Sequence, residues 1–293
     1  MTLLVVDGHA YAYRAFYAIR QLASPAGAPT NAIYGFIKML LKMRTRLQPS
    51  HLVVTWDGGL SSERMELLPG YKAQRPSMPA ELERQLDEIA AYLIAARIPS
   101  LCEDGVEADD RIATLARQAE AAQTRVIIAS SDKDFMQLVS EYVGLFNPND
   151  KSEAVWSFDQ VRRKTGVEPK QIVDWLSLIG DAVDNIPGVP GVGPKTATEL
   201  LRQFGSLTAL YENPGAIKSD KLRVNLLAAT AIVHRNQQLI RLRDDLPGDH
   251  SPSLFVVKPG DNEALYSLYS RWGFNTLRQE LEVTGLRQTD FLQ

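Results

Sequence analysis

Residues 125–134 read RVIIASSDKD, a β-branched run followed by two aspartates. A short apolar run of this kind, bounded by polar residues, predicts a buried strand over Arg125–Ala129. In open α/β sheets, ligands bind outside the carboxyl ends of the strands. The stretch therefore predicts a strand of a parallel sheet and a functional edge at Asp132 and Asp134.

The rest of the first half alternates strands and helices. Further strands are predicted over Leu3–Val6, Leu52–Trp56 and Val143–Phe146. Helices are predicted over Ala10–Ile19, Thr30–Leu47, Ala80–Arg97 and Glu107–Ala122. The longer helices carry apolar residues at helical spacing. This order is typical of an α/β fold with a mostly parallel central sheet flanked by helices on both faces.

Strands become rare after about Val155, and helices are predicted over Glu168–Ile179, Pro194–Phe204, Ser206–Tyr211 and Asp220–Arg235. A Gly/Pro-rich break at Asn185–Gly193 separates two of them. We therefore predict an α/β core at 1–165 and a helical region at 166–293, with a helix-hairpin-helix at 185–204. The polar, Pro-containing connection Ser61–Pro79 is long for a compact domain, which favours a functional or mobile segment.

Composition sets limits on location and partners. Cys102 is the single cysteine, so no intramolecular disulfide is expected, and a reducing cytoplasm is the natural location. No apolar run approaches the roughly 20 residues that span a bilayer. The first residues predict a strand rather than a signal peptide. The net charge of −3 does not by itself suggest a nucleic-acid partner.

Acidic residues lie at the ends of three predicted strands. Asp7 ends the first strand, Asp57 the second, and Asp132 and Asp134 follow the third. Each one alone is equally well explained as a helix N-cap. Acids at three strand ends favour a shared site instead.

Two more acidic groups extend this set. Glu107, Asp109 and Asp110 open a predicted helix, where acids also complement the helix dipole, and Asp181 and Asp184 lie three residues apart in what could be a solvated turn. Like charges gathered at one edge destabilise the fold unless a cation compensates them. Oxygen-only ligands favour Mg²⁺ or Mn²⁺, and two such ions about 4 Å apart are the usual arrangement in nucleases. The pattern predicts two divalent ions.

The Gly-rich segment that begins at Gly188 continues through Gly191 and Gly193 to Lys195 and Thr196. A turn of this kind presents backbone N–H groups to an anion at the start of the next helix. It lacks the spacing of a Walker loop. A sequence-independent clamp on the DNA backbone fits best, and a tight turn between helices is the alternative.

Basic and aromatic residues lie beside the acids in sequence. Lys72 and Arg75 belong to the Pro-containing connection that follows Asp57, where a solvated loop is the alternative interpretation. Tyr13 and Arg14 follow Asp7 in an aromatic-basic cluster. An aromatic side chain near the ions could stack on an unpaired base.

Six motifs in order resemble the 5′-nuclease domain of bacterial DNA polymerase I, within the wider flap-endonuclease family. They are Asp7-Gly8 with Tyr13–Phe16, Thr30–Phe36, Tyr71–Pro76, Glu107–Asp110, Asp132–Asp134 and Gly180–Val189. The resemblance extends to about Leu286.

The resemblance implies a PIN-like 5′-nuclease core followed by a helical region with a helix-hairpin-helix of the H3TH type. It implies a 5′-3′ exonuclease or 5′-flap endonuclease of DNA replication and repair, which hydrolyses DNA phosphodiesters at single-strand/duplex junctions. The partner would be flapped, nicked or branched duplex DNA, with no membrane and no small-molecule cofactor. Two Mg²⁺ ions are expected, with Mn²⁺ able to substitute, together with a K⁺ ion on the carbonyls of the hairpin.

The same resemblance implies residue roles. Asp7, Asp57, Glu107, Asp109 and Asp132 would lie nearest the first ion, Asp134, Asp181 and Asp184 would serve the second, and Asp110 could join either. Lys72 and Arg75 would stabilise the scissile phosphate from a helical gateway near residues 61–80. Tyr13, with Arg14, would contact the DNA at the cut, and Gly188–Thr196 would hold the duplex.

Two other functions are weighed against this one. A structure-specific DNA-binding paralogue without catalysis would normally have lost an acid or the gateway lysine, and none is missing here. An RNA-directed nuclease on a similar core would not need the Gly188–Lys195 hairpin. Both a free-standing nuclease and one part of a longer polymerase agree with the sequence.

Overall fold

The computed structural model describes residues 1–290 of the chain, and the side chains through residue 283. Residues 291–293, at the end of the predicted helical region, lie outside the described residues. The chain divides into two compact units. The first comprises Met1–Trp56, Ser77–Cys102 and His250–Gln293, and the second comprises Asp57–Pro76 and Glu103–Asp249.

The elements are numbered along the chain. The strands are β1 (Thr2–Asp7), β2 (His51–Thr55), β3 (Ser100–Leu101), β4 (Arg125–Ala129), β5 (Val143–Phe146), β6 (Val155–Trp156), β7 (Gly180–Asp181) and β8 (Ile186–Pro187). The helices of the first half are α1 (Gly8–Ala18), α2 (Asn31–Leu47), α3 (Ser62–Leu67), α4 (Ala80–Ala95) and α5 (Ala108–Ala121). Those of the second half are α6 (Phe158–Thr165), α7 (Ile172–Ile179), α8 (Pro194–Phe204), α9 (Leu207–Glu212), α10 (Asp220–Ala228), α11 (Thr230–Ile240), α12 (Asn262–Trp272) and α13 (Asn275–Asp290).

The first unit contains β1, β2 and β3, which are parallel and ordered β3-β2-β1. Every residue of β2 is buried, as expected for a strand covered on both faces. Helix α2 packs on α1 through Gly35, where an added Cβ would lie 2.8 Å from the Cβ of Ala15. Gln85 of α4 accepts from the backbone N of Ala32 at 2.8 Å, so a buried side chain satisfies the start of α2.

The second unit contains β4, β5 and β6, and all the residues of β4 except Arg125 are buried. Strands β4 and β5 are parallel, and β6 is antiparallel to β5. A short 3-10 helix, Asp134–Leu138, follows β4. The loop after β4 therefore carries Asp132 and Asp134 at the carboxyl end of a buried strand.

The helical part of the second unit is held by buried polar contacts. The indole N–H of Trp175 on α7 donates to the Thr198 hydroxyl on α8 at 3.0 Å. The Asn236 amide on α11 donates to the carbonyls of Ser177 at 3.1 Å and Pro187 at 2.7 Å. These bonds fix α7, α8 and α11 around the two-stranded β7–β8 turn, which carries Asp181 and Asp184.

The predicted fold class is confirmed: the protein is α/β with a mostly parallel central sheet, followed by helices. The predicted strands and most predicted helices are present, with ends shifted by a few residues. The helix predicted over Asp220–Arg235 was wrong as one element, because the chain bends at Ala229 between α10 and α11. The Thr230 hydroxyl donates to the carbonyl of Leu227 at 2.8 Å there, a side-chain bond that favours a bend in a helix.

Several elements of the structure were absent from the prediction. Helices α3, α6, α12 and α13 and strands β3, β6, β7 and β8 were not predicted. Among the described residues, no helix is long and apolar enough to cross a membrane. The division at residue 165 stays a prediction.

Candidate active site

Eight of the nine predicted metal-binding carboxylates belong to the second unit, and Asp7 belongs to the first. The eight come from the start of α5, the loop after β4, the β7–β8 turn and the segment that begins at Asp57. The segment Leu68–Arg75, between α3 and α4, adds Lys72 and Arg75 to the same unit.

Glu107 is the most connected of these acids. Its side chain is 1% exposed, and it accepts from the backbone N of Ser61 at 3.1 Å and from the Tyr71 hydroxyl at 3.1 Å. The Lys72 ammonium forms a buried ion pair with the same carboxylate. Burial acts to raise the pKa of Glu107, but Lys72 and Arg64 outweigh it and lower the pKa. Glu107 is therefore an anion at neutral pH.

Lys72 lies in a tight turn with a backbone φ of +54°, in the left-handed region that non-glycine residues seldom adopt. Its backbone N donates to the carbonyl of Asp184 at 3.0 Å. Burial acts to lower the pKa of its ammonium, but Asp109, Glu107 and Asp184 outweigh it and raise the pKa. The lysine is thus held as a buried cation among three acids, so the solvated-loop interpretation of Lys72 does not hold.

Arg75 lies three residues further along and contacts the β7–β8 turn. One of its terminal nitrogens lies 2.6 Å from Oδ1 of Asp184, and its side chain is 40% exposed. The predicted pair of basic residues is therefore divided in its contacts: Lys72 pairs with Glu107, and Arg75 pairs with Asp184. Both remain beside acids that were predicted to hold metal.

Asp134, Asp181 and Asp184 form the tightest acidic group. One carboxylate oxygen from each lies within 4.8 Å of the others. Oδ1 of Asp134 is buried and has no hydrogen-bond partner. Lys133 offsets part of the charge, since its ammonium lies 3.1 Å from Oδ2 of Asp181. The three carboxylates therefore converge, and one of them has a buried oxygen without a partner. Hard oxygen donors in this arrangement fit a divalent ion such as Mg²⁺.

The electrostatics of the loop after β4 agree with that fit. Burial raises the pKa of Asp134 well above its ordinary value, and Asp132, Asp181 and Asp184 raise it further. Burial also raises the pKa of Asp132, with added contributions from Asp184 and Asp181, although the bond from the Asp134 backbone N opposes the shift. In the absence of a cation these carboxylates repel one another.

Asp57 lies at the start of α5. Its Oδ1 accepts from the backbone N of Ala108, the first residue of α5, at 2.9 Å, although the N-cap residue of that helix is Glu107. Gly58 allows this approach, because a Cβ there would lie 1.8 Å from the carbonyl oxygen of Glu103. Asp109 is half-buried one residue further along α5 and raises the pKa of Lys72.

Asp110 departs from the other acids. Its two oxygens accept from the two terminal nitrogens of Arg64, at 2.8 Å and 2.7 Å. The backbone N of Arg243 also donates to Oδ1 at 2.9 Å. The metal role predicted for Asp110 stays a prediction, and this geometry argues against it.

The predicted hairpin forms the connection between β8 and α8. Gly188 approaches the backbone so closely that a Cβ would lie 2.3 Å from the carbonyl oxygen of Ile179. Gly191 has a φ of +80°, which a side chain would strain. Asn225 of α10 donates to the carbonyl of Pro190 at 2.9 Å and holds the turn from the side.

Gly193 is the N-cap of α8 and Pro194 its first residue. Lys195 is exposed in the first turn, and Thr196 is half-exposed beside it. The phosphate contact predicted for this turn stays a prediction.

The first unit carries the remaining predicted residues. Asp7 caps α1, since its Oδ1 accepts from the backbone N of Ala10 at 3.0 Å. Tyr13 is half-exposed on α1 and stacks on Tyr17, with ring centroids 6.4 Å apart. Arg14 is exposed on the same helix.

Three residues near the acids were missed by the sequence analysis: Arg64, Tyr71 and Lys133. Tyr71 and Lys133 lie beside predicted site residues in the chain, and that adjacency was the available signal. Arg64 gave none, because its partners are distant in sequence.

Two family models match the chain in succession, over residues 2–263. One, described as 5′-3′ exonuclease, N-terminal resolvase-like domain, matches residues 2–166. A second, described as 5′-3′ exonuclease, C-terminal SAM fold, matches residues 167–263. The chain belongs to the 5′-3′ exonuclease family.

Individual relatives agree with this family. The chain is 37% identical to a 5′-3′ exonuclease of Aquifex aeolicus, over 96% of the chain and 95% of the relative. It is 38% identical to DNA polymerase I of Mycobacterium bovis, over 96% of the chain but only 31% of the polymerase. The chain therefore spans about a third of the length of the polymerases that it matches.

A solved structure of T5 5′-exonuclease with bound divalent metal ions (zinc) is also similar to this member of the 5′-3′ exonuclease family. The TM-score is 0.69 at 25% sequence identity, over 83% of the chain and 90% of the T5 protein.

Proposed function

We propose that this protein is a divalent-metal-dependent 5′-3′ exonuclease and 5′-flap endonuclease that hydrolyses DNA phosphodiesters at single-strand/duplex junctions. The observation that carries the proposal is the group formed by Asp134, Asp181 and Asp184, whose oxygens lie within 4.8 Å of one another. Lys72 is a buried cation among the neighbouring acids. The reaction class is that of the 5′-3′ exonuclease family, to which the chain belongs.

Asp134, Asp181 and Asp184 would hold one ion, and Asp132, Glu107, Asp109, Asp57 and Asp7 remain the predicted ligands of the other. Bound divalent ions supply an activated water and charge for the leaving 3′ oxygen. We propose Mg²⁺, because all the ligands are oxygens, with Mn²⁺ as a substitute. Two ions, rather than one, are part of the proposal.

The chain's own side chains position and stabilise the reacting phosphate. Lys72 would stabilise the negative charge that develops on the phosphate, and its turn is fixed by the bond from its backbone N to Asp184. Arg75 is partly exposed and would contact the incoming strand while paired with Asp184. Tyr13 and Arg14 would contact the unpaired base at the cut.

The hairpin would hold the duplex away from the reacting bond. Its glycines bring the backbone close to a phosphate, and Lys195 adds a charge at the start of α8. A K⁺ ion on the hairpin carbonyls is also proposed, on the basis of the family resemblance. Weaker duplex binding in NaCl than in KCl at equal ionic strength would support this ion, and equal binding would reject it.

A cleavage assay tests the function as a whole. We expect release of 5′ products from 5′-flap DNA with Mg²⁺, and no release with EDTA. Blunt duplex DNA and single-stranded RNA serve as comparison substrates. Binding of flap DNA without cleavage in Mg²⁺ or Mn²⁺ would identify the protein as an inactive DNA-binding paralogue instead. Faster cleavage of RNA than of flap DNA would favour an RNA-directed nuclease. The cytoplasmic location inferred from the single cysteine is also a proposal.

A further inference from the structure

Arg64 and Asp110 form a buried, two-fold hydrogen-bonded ion pair in the second unit. Their side chains are 6% and 5% exposed. The two terminal nitrogens of Arg64 donate to the two oxygens of Asp110 at 2.8 Å and 2.7 Å. A planar guanidinium matched to a carboxylate in this way is among the stronger and more directional contacts in proteins.

The remaining donors of Arg64 connect α3 to the end of α11. Its Nε donates to the carbonyl of Leu239 at 3.0 Å, and Nη2 also donates to the carbonyl of Arg241 at 3.2 Å. Leu239 lies in the last turn of α11, and Arg241 follows the helix directly. Backbone carbonyls at the end of a helix lack partners within that helix. Arg64 therefore joins three elements: α3, α5 and the end of α11.

Both oxygens of Asp110 are already bound by Arg64. Each oxygen accepts from Arg64, and Oδ1 also accepts from the backbone N of Arg243 at 2.9 Å. Glu107 and Asp184 each form their closest ion pair through one oxygen, whereas Asp110 pairs with Arg64 through both. A divalent cation at either oxygen of Asp110 would therefore lie beside the guanidinium.

The pair contacts the proposed site through Glu107. Nη1 of Arg64 lies 3.4 Å from Oε2 of Glu107, the oxygen that also faces Lys72 and Tyr71. Helix α3, which carries Arg64, leads directly into the turn of Lys72, since the backbone N of Leu68 donates to the carbonyl of Arg64 at 2.9 Å.

We propose that Asp110 is the fixed counter-ion of Arg64 rather than a metal ligand, and that Arg64 is a positioning residue that orients Glu107 and the turn of Lys72. The role as a positioning residue rests on the proposed nuclease function. The assignment of Asp110 does not, because protein stability and metal binding test it without DNA.

The test compares Asp110→Asn with Asp134→Asn, two isosteric changes of aspartates in the same unit. Thermal unfolding in EDTA is measured first. Asp110→Asn should lower Tm by roughly 5–15 °C, because it leaves a buried guanidinium without its partner. Asp134→Asn should raise Tm, because it relieves repulsion. A rise in Tm for Asp110→Asn would overturn the assignment.

Calorimetric titration with Mg²⁺ alone gives a second readout. Asp110→Asn should bind as many Mg²⁺ ions as wild type, with affinity reduced by roughly 10–100-fold, as is typical of a residue behind the ligands. Fewer bound ions would overturn the proposal. If either single variant fails to fold, the double variant Arg64→Gln/Asp110→Asn removes both buried charges and takes the same titration.

Single-turnover cleavage of flap DNA at saturating Mg²⁺ tests the positioning role. Arg64→Gln and Asp110→Asn should each slow the reaction by roughly 10–100-fold, and the double variant should be no slower than the slower single variant. Arg64→Lys should not restore the rate, since an ammonium cannot make the paired bonds. Multiplicative losses, or full activity of Arg64→Lys, would overturn the role. A wild-type protein that cleaves no substrate would contradict the proposed function and leave the Tm comparison valid.

Discussion

Lys72 and Glu107 form a buried ion pair. Lys72 has a left-handed backbone conformation, and its backbone N donates to the carbonyl of Asp184 at 3.0 Å. One residue therefore contacts two separate acidic segments, α5 through its side chain and the β7–β8 turn through its backbone. The elements that fix the Lys72 ammonium, which we propose stabilises the reacting phosphate, therefore also carry proposed metal ligands.

Substitution of Lys72 should affect the rate more than binding. Lys72→Ala should lower the single-turnover rate on a 5′-flap substrate by roughly 10²–10³, comparable to the loss of one preorganised donor. Affinity for flap DNA should fall much less, because one phosphate contact among several is lost. Lys72→Arg should restore the rate only in part, since a planar fork cannot place its charge where a compact ammonium lies.

Lys151 provides a matched control for this substitution, because it is an exposed lysine of the same unit. Lys151→Ala should cleave at the wild-type rate. Equal cleavage rates for wild type and Lys72→Ala would reject the proposed role, and so would a loss of DNA affinity as large as the loss of rate.

Removal of a predicted ligand should separate catalysis from binding. Asp132→Ala should abolish cleavage and leave flap DNA binding largely intact, because the carboxylate is proposed to hold an ion rather than a phosphate. Binding is measured in Ca²⁺ or EDTA, and cleavage over a range of Mg²⁺. The control is Asp159→Ala, an exposed aspartate of α6. Wild-type turnover of Asp132→Ala at saturating Mg²⁺ would contradict the metal assignment.

Loss of charge at Asp134 should stabilise the metal-free protein. Burial and the neighbouring acids raise the pKa of Asp134 well above its ordinary value, so the folded state binds the proton more tightly than the unfolded state. The free energy of unfolding therefore falls as pH rises from the pKa of Asp134 in the unfolded state to its pKa in the folded state. At neutral pH the ionised carboxylate destabilises the fold. In EDTA, Asp134→Asn should raise Tm by ~2–4 °C, which corresponds to about 1 kcal/mol.

The same variant should lose much of the stabilisation that Mg²⁺ gives to wild type, which binding to the folded state produces by mass action. Scanning calorimetry with and without Mg²⁺ measures both effects, and Asp159→Asn is the matched control. A lower Tm of Asp134→Asn in EDTA would show that the Asp134 carboxylate is not repelled by its neighbours. A rise in Tm with Mg²⁺ equal to that of wild type would show that Asp134 is not a metal ligand.

Much of the fold could be predicted because its signals are local. The β-branched run 125–129 and the apolar run at 51–55 are short and continuous, which is typical of strands in a sheet covered on both faces. Helix α12 also had local signals that were not used: Asp261 caps its first turn, accepting from the backbone N of Ala264 at 3.0 Å, and Gly273 ends it in a left-handed conformation. The bend at Ala229 depends on a side-chain bond that helical periodicity does not reveal.

Most acids of the candidate site could be found because they follow a strand or open a helix, and Asp181 and Asp184 could be found by their spacing, but the partners of these acids could not. Asp110 has the same sequence context as Asp109, yet its partner Arg64 lies 46 residues away. Adjacent acids on one helix can therefore differ completely in environment. Only the tertiary structure shows that Asp110 pairs with a guanidinium, whereas Asp109 raises the pKa of Lys72.

Lys195 is exposed in the first turn of α8, two residues after the N-cap Gly193. If the hairpin contacts the DNA backbone, Lys195→Ala should weaken duplex binding equally for unrelated sequences, because a phosphate contact carries no sequence information. The slope of log K against log salt should become shallower by about one unit, since one fewer counterion is released. Cleavage at saturating substrate should change little. Lys151→Ala, an exposed lysine outside the hairpin, should keep the wild-type slope. An unchanged slope for Lys195→Ala in a titration between low and physiological salt would show that this ammonium does not contact phosphate, and the hairpin would then be only a tight turn between β8 and α8.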